Sequence, residues 1–175
     1  MEQKNNEYFE KMEEYNYSAL TKLNDDAAIF TSTARTVKYS CVDASGTTEK
    51  GCQCMMELKR RNLKIEELGD VYIESKKLAY LLLGYVIHNY IPLYINFTDF
   101  EEEDGVPKRV YIWRLDRLTT FNYHPYTTTW SNGYKEVQKQ ERFGLSLEDA
   151  AVYELDEKTN AYRMIGQNKN AFRGC

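Results

Sequence analysis

The segment Glu74–Asn89 constrains this chain most. Leu78, Leu81, Leu82, Tyr85 and Val86 recur at three- and four-residue spacings, which places them on one apolar stripe of a helix. A single residue separates this helix from Ile91–Phe97, an alternating run rich in β-formers that reads as a strand. So short a link leaves the helix pressed against the sheet to which the strand belongs. The apolar run Leu78–Ile87 is interrupted by Gly84 and followed by His88 and Asn89, well short of the ~20 apolar residues that cross a bilayer.

The remaining elements follow from the same periodicities. Tyr8, Phe9, Met12, Tyr15, Leu20 and Leu23 define an amphipathic helix over Asn5–Leu23, which Asn24-Asp25-Asp26 is expected to break. Ala27–Ser32 reads as a short strand or an extended entry into the sheet, and Thr36–Val42 and Cys52–Leu58 as neighbouring strands linked by the Gly-containing hairpin Asp43–Gly51. Asn62–Asp70 is a polar connection. Arg109–Leu118 pairs with Ile91–Phe97 as a long hairpin across the acidic loop Thr98–Pro107. Further on, Ser146-Leu-Glu-Asp149 resembles a helix start, and Val152–Leu155 and Ala161–Ile165 flank a turn at Asp156–Asn160. This order predicts an α/β (α+β) fold, helices against one mixed sheet, in a single domain over 1–175 with a core at 5–118 and an irregular, β-rich C-terminal extension at 119–175.

Hydrophobic residues make up 42% of the 175 and there are only 3 Pro, so disorder is excluded for most of the chain. The 23 basic residues are outnumbered by 27 acidic ones, and a nucleic-acid partner must therefore be held by a local patch rather than by a global positive field. Met1–Tyr17 shows no secretory signal, and a cytoplasmic location with no membrane partner is expected. Cys41, Cys52, Cys54 and Cys175 lack zinc or redox spacing and read as reduced thiols. No Walker-type or dinucleotide-binding glycine pattern occurs.

Chemistry is concentrated at Met56-Glu57-Leu58-Lys59. On a strand Glu57 and Lys59 share a face, expected to look outward, while Leu58 turns into the core. Asp43 ends the preceding strand, where its carboxylate can approach that of Glu57. Two carboxylates suit a hard divalent cation, and the Leu58 carbonyl between the side chains could add a third oxygen. Lys59-Arg60-Arg61-Asn62-Leu63-Lys64 then carries four positive charges in six residues, a candidate phosphate-gripping edge that Lys76 and Lys77 extend.

This order of elements and residues resembles the PD-(D/E)XK nucleases, over residues 5–118. Asp43 takes the aspartate position and Glu57-Leu58-Lys59 the Glu-x-Lys position, although Val42 rather than proline precedes Asp43. The resemblance implies a restriction-endonuclease-like fold and a Mg²⁺- or Mn²⁺-dependent nuclease acting on DNA, in a family whose members often pair into homodimers to cut two strands. It assigns Asp43, Glu57 and Lys59 to catalysis, Asp43, Glu57 and Leu58 to the metal, and Arg60, Arg61, Lys64 and Lys77 to the nucleic acid. Lys77 is preferred to Lys76.

Plainer readings stand beside these. A lone Glu-x-Lys is also an ordinary strand salt bridge, and Asp43 followed by Ala-Ser-Gly is ordinary turn chemistry. The whole could be a catalytically inactive protein of this fold that binds nucleic acid or protein. Glu13 and Glu14 read as solvated helix residues, and His88 and His124 as structural histidines. Trp113, Phe121, Tyr123, Tyr126 and Trp130 could stack on bases, but packing is the expected use. The five carboxylates of Asp99–Asp104 could hold a second metal, but a solvated loop that repels nucleic acid is the expected use.

Overall fold

The computed structural model describes residues 2–37, 40–61, 65, 70–100, 105–129 and 138–166. A seven-stranded mixed sheet has the order β1-β2-β3-β5-β6-β9-β10, formed by Phe30–Arg35, Ala44–Thr48, Gln53–Arg61, Ile91–Thr98, Arg109–Arg114, Ala151–Asp156 and Ala161–Gly166. Only β3 and β5 run parallel, joined by the crossover helix α2 (Ser75–His88). The opening helix α1 (Glu2–Ala27) covers one face. The other carries α2 and a three-stranded antiparallel sheet of β4 (Asp70–Glu74), β8 (Gln138–Ser146) and β7 (Asn122–Thr129). The α+β fold with helices flanking a mixed sheet is as expected, and no helix among the described residues is long and apolar enough to cross a membrane.

Strand parity sorts the core into two layers. Cys54, Met56 and Leu58 of β3 join Leu93, Ile95 and Phe97 of β5 beneath α1, whereas Met55 of β3 and Tyr94 of β5 meet α2 and Trp113. All eight residues of β5 are buried, as befits a central strand covered on both sides. The Trp113 indole donates to the Ser146 carbonyl at 2.8 Å and so ties the small sheet to the large one. Gly84 gives α2 its close approach: a Cβ there would lie 2.4 Å from Met55 Sδ.

Several boundaries differ from expectation. Asn24 does not break α1 but closes it, its carbonyl accepting from Ala28 N–H at 2.8 Å and its side chain from Phe30 N–H at 2.6 Å, with Ala28 at φ 50°. Thr36–Val42 is not a strand. Its described part is a loop closed by Thr36 N–H to Asp43 O at 3.1 Å and by the Thr36 hydroxyl to Val42 O; residues 38 and 39 lie outside the described part. The neighbour of β3 is instead Ala44–Thr48, inside the expected hairpin link, in antiparallel register Ala44↔Met56 to Thr47↔Gln53. Small residues stand there because space is short: a Cβ on Gly46 would come within 2.6 Å of Met56 Cε and 3.0 Å of the Ser32 carbonyl oxygen. Gly46→Ala should therefore destabilise the fold by about 1–3 kcal/mol despite its extended backbone, read as a lower urea midpoint at unchanged slope.

The connection expected at Asn62–Asp70 falls largely outside the described residues, and β4 begins at Asp70. The stripe of α2 is narrower than predicted: Leu78 and Leu81 are buried, whereas Tyr85 and Val86 are exposed. β6 ends at Arg114, four residues early, in a 3₁₀ turn at Leu115–Arg117 where the Arg114 and Asp116 side chains pair at 2.9 Å. Ser146 caps the 3₁₀ turn Leu147–Asp149, and β9 and β10 flank the expected turn. Cys41 and Cys54 are free thiols, but Cys52 is disulfide-bonded, which corrects the reading of reduced thiols throughout; spacing along a chain carries no information on pairing through space.

Candidate active site

β3 and the start of β2 build the site. Because Ala44 opposes Met56 in antiparallel register, Asp43 and Glu57 stand across from each other where β2 begins. Asp43 N–H donates to the Met56 carbonyl at 2.9 Å, and Asp43 Oδ2 accepts the Leu58 N–H at 2.8 Å. The strand pairing itself thus holds the Asp43 carboxylate. Within a strand the N–H and C=O of one residue project to the same side, so the Leu58 carbonyl also faces the Asp43 edge.

Glu57 was expected to look outward, and this is corrected: it is only 9% exposed. Its parity puts it on the sheet face that α2 covers, and Lys77, in the first turn of α2, donates to Glu57 Oε2 at 2.7 Å. Burial, followed by the negative charge of Asp43, pushes the Glu57 carboxyl up to about 7, more than Lys77 and Lys59 pull it down. Burial works against the Lys77 ammonium, yet Glu57, with Asp43 and Glu74, holds its pKa above the ordinary lysine value. Lys59, two residues beyond Glu57 on the same face, is exposed.

Asp43, Glu57, Lys59 and Lys77 therefore converge, each acting on the charge of Glu57. The basic run does not form one edge. Arg60 has the parity of Leu58 and lies on the α1 side, its guanidinium 3.4 Å from the Phe100 ring centroid and 5.8 Å from that of Tyr15. Arg61 turns inward, donating to Asn96 Oδ1 at 2.6 Å, the Tyr72 carbonyl at 2.8 Å and the Tyr94 hydroxyl at 3.1 Å. Lys64 lies outside the described residues, as does Trp130. The missed feature is the pairing of Lys77 with Glu57. Its one sequence signal is position, a single turn into the helix that crosses over β3.

The other candidates stay apart. Glu13 pairs with Arg35 at 2.8 Å. His88 packs on Tyr90, and His124 lies edge-on to Tyr72 with its buried Nε2 lacking a hydrogen-bond partner. Trp113 is fully buried and Phe121 packs on Phe143, which is packing rather than base stacking; Tyr123 is exposed.

The donor set suits a hard cation: two carboxylates and a carbonyl, all oxygen, with no nitrogen or sulfur among them. Among the described residues no group of three or more His, Cys, Asp and Glu is placed to hold a metal ion. The Glu57 pKa is raised by burial first and by the neighbouring Asp43 charge second.

No protein-family model matches the chain, and no curated protein matches it. Among solved structures it is similar to Hjc, a Holliday junction resolvase from the archaeal hyperthermophile Archaeoglobus fulgidus, at 11% identity and a TM-score of 0.43 over 76% of this chain and 88% of that one.

Proposed function

We propose that this chain is a Mg²⁺- or Mn²⁺-dependent nuclease of the PD-(D/E)XK type that hydrolyses phosphodiester bonds of DNA. The reading rests on one observation, the meeting of Asp43 and Glu57 across the β2–β3 register beside Lys59. Asp43, Glu57 and the Leu58 carbonyl would hold the cation. When bound, it makes water a nucleophile at neutral pH and screens charge on the phosphoryl group.

The chain's own groups do the rest. The Leu58 N–H fixes the Asp43 carboxylate, and Lys77 steadies Glu57 against the helix. Lys77 holds Glu57 Oε2, and its ammonium would turn toward substrate phosphate once released from that carboxylate. Lys59, exposed beside Glu57, would aim positive charge at the oxygens on which negative charge builds during attack. Arg60, Arg61 and Lys64 remain contributors to phosphate binding only insofar as Arg60 and Arg61 can leave the partners described above.

Purified protein should cut at least one of linear duplex, circular, single-stranded or branched DNA with Mg²⁺ or Mn²⁺, and stop on addition of chelator. Binding of these substrates without any cleavage would instead favour the alternative, an inactive member of the fold that works as a binding module, a reading to which the Glu57–Lys77 ion pair lends support.

A further inference from the structure

Beneath the end of α1 the large sheet carries a cavity of about 230 Å³. Phe30, Ile91, Leu93 and Met164 give it apolar walls, and Cys54 of β3 also lines it. Glu49 and Lys50, both exposed in the β2–β3 turn, stand at its opening. Two buried polar side chains share the lining: Arg114, 6% exposed, and Tyr153, 4% exposed. Cys54, Ile91 and Leu93 have the opposite strand parity to Glu57 and Tyr94, so the cavity and the candidate active site lie on opposite faces of the sheet.

Asp116 fixes the Arg114 guanidinium, accepting from Nε on Oδ1 at 2.9 Å and from Nη2 on Oδ2 at 3.0 Å. Arg117 Nε stands 3.7 Å from the same carboxylate, so two guanidinium groups meet one acid and a positive charge is left over. Cys54 registers which end of the Arg114–Asp116 pair faces the cavity. Burial pushes its thiol up to about 11, and of the two charges acting on it Arg114 pulls down more strongly than Asp116 pushes up. The Tyr153 phenol is pushed up to about 12 by burial alone, and among the described residues nothing hydrogen-bonds its hydroxyl. A buried hydroxyl without a partner carries a desolvation cost that a ligand oxygen would offset.

We propose that this cavity binds a small amphipathic carboxylate, its apolar body against Phe30, Ile91 and Leu93 and its carboxylate accepting from the Arg114 guanidinium and the Tyr153 hydroxyl. Size sets the length of the body. An apolar cavity of about 150 Å³ takes benzene, so 230 Å³ takes about nine non-hydrogen atoms, a carboxylate on a chain of roughly six to eight carbons. Charge sets the head group. One carboxylate balances the one surplus positive charge, whereas a neutral ligand leaves it unanswered and a cation adds to it. A phosphate monoester brings nearly two negative charges, more than the cavity answers.

The inference is independent of the nuclease reading, because its test needs no activity. Calorimetric titration of the full chain with octanoate should give one site with a dissociation constant below about 1 mM. Affinity should climb about fourfold per methylene from butanoate to octanoate and stop climbing by dodecanoate, whose tail outgrows the cavity. 1-Octanol should bind at least about tenfold more weakly than octanoate, and octylammonium more weakly still. Tyr153→Phe should weaken octanoate about tenfold at unchanged melting temperature, since the lost hydroxyl bonds nothing else in the chain. Ala27→Trp, which places an indole in the cavity from the last turn of α1, should abolish binding. If that variant fails to fold, Tyr153→Phe still decides. Octanoate that does not bind overturns the proposal, as does 1-octanol binding equally tightly, a Tyr153→Phe chain with parental affinity, or affinity that keeps climbing through dodecanoate.

Discussion

Lys59→Met should cut DNA about 10²–10³-fold more slowly than the parent chain, about 3–4 kcal/mol on the barrier, the usual loss when a group aimed at transition-state charge is removed. Metal affinity should stay the same or rise slightly, since an ammonium cannot ligate a cation and one nearby positive charge is gone. Glu57→Ala should behave differently, losing metal affinity and cleavage together because a ligand has been removed. If Glu57 and Lys59 formed only a strand ion pair, Lys59→Met would shift stability by ~0.2–1 kcal/mol and leave the rate alone. Calorimetric metal titration alongside cleavage rates on the three proteins decides between these. A Lys59→Met chain that cuts at the parental rate ends the catalytic assignment.

The second large effect is on stability, and it follows from the burial of Glu57. Its pKa in the folded chain, about 7, lies above the ordinary 4.5, so between these pH values the folded chain holds a proton that the unfolded chain has released. Stability must then fall as pH rises. The contribution is fully present below pH 4.5 and lost once pH passes the folded-state value. At 1.36 kcal/mol per pKa unit the loss is on the order of 3 kcal/mol, with little solvent screening at a side chain so buried. Lys77 does not disturb this window, because its pKa is raised from 10.5 and its own contribution changes only above that. Urea unfolding in chelator should show the parent weaker at pH 8 than at pH 5, and Glu57→Gln with most of that slope removed. Equal stability at the two pH values would show that Glu57 is ionised at no cost. Adding Mg²⁺ at pH 8 should restore stability in the parent and not in the Gln variant, which links the second prediction to the proposed metal site.

How far the sequence alone reached depends on the range over which each signal is written. Helix α2 was legible because its periodicity and its short link to β5 are local. The pairing of Glu57 and Lys59 on one face was legible because strand parity is fixed by covalent geometry, and the same parity, carried two residues on, separates Arg60 from Arg61. What parity cannot tell is which face lies under a helix. Glu57 reads as outward-facing until α2 crosses over β3 and brings Lys77 to its carboxylate. β2 was misplaced for a related reason: Thr36–Val42 has the residue types of a strand, but pairing went to the small residues Ala44–Thr48, which fit between β1 and Met56 where larger ones would clash. Strand propensity measures fit to a half-buried pleated surface, and that surface exists only after the sheet has formed. The joining of β9 to β6 and the inward turn of Arg61 toward Asn96 and Tyr94 likewise depend on residues 33 or more positions apart. Composition, periodicity and the Asp43…Glu57-Leu58-Lys59 spacing determined the class of fold and the candidate chemistry. Only tertiary packing decided that Asp43 and Glu57 face each other, because antiparallel register is a through-space quantity that no local pattern encodes.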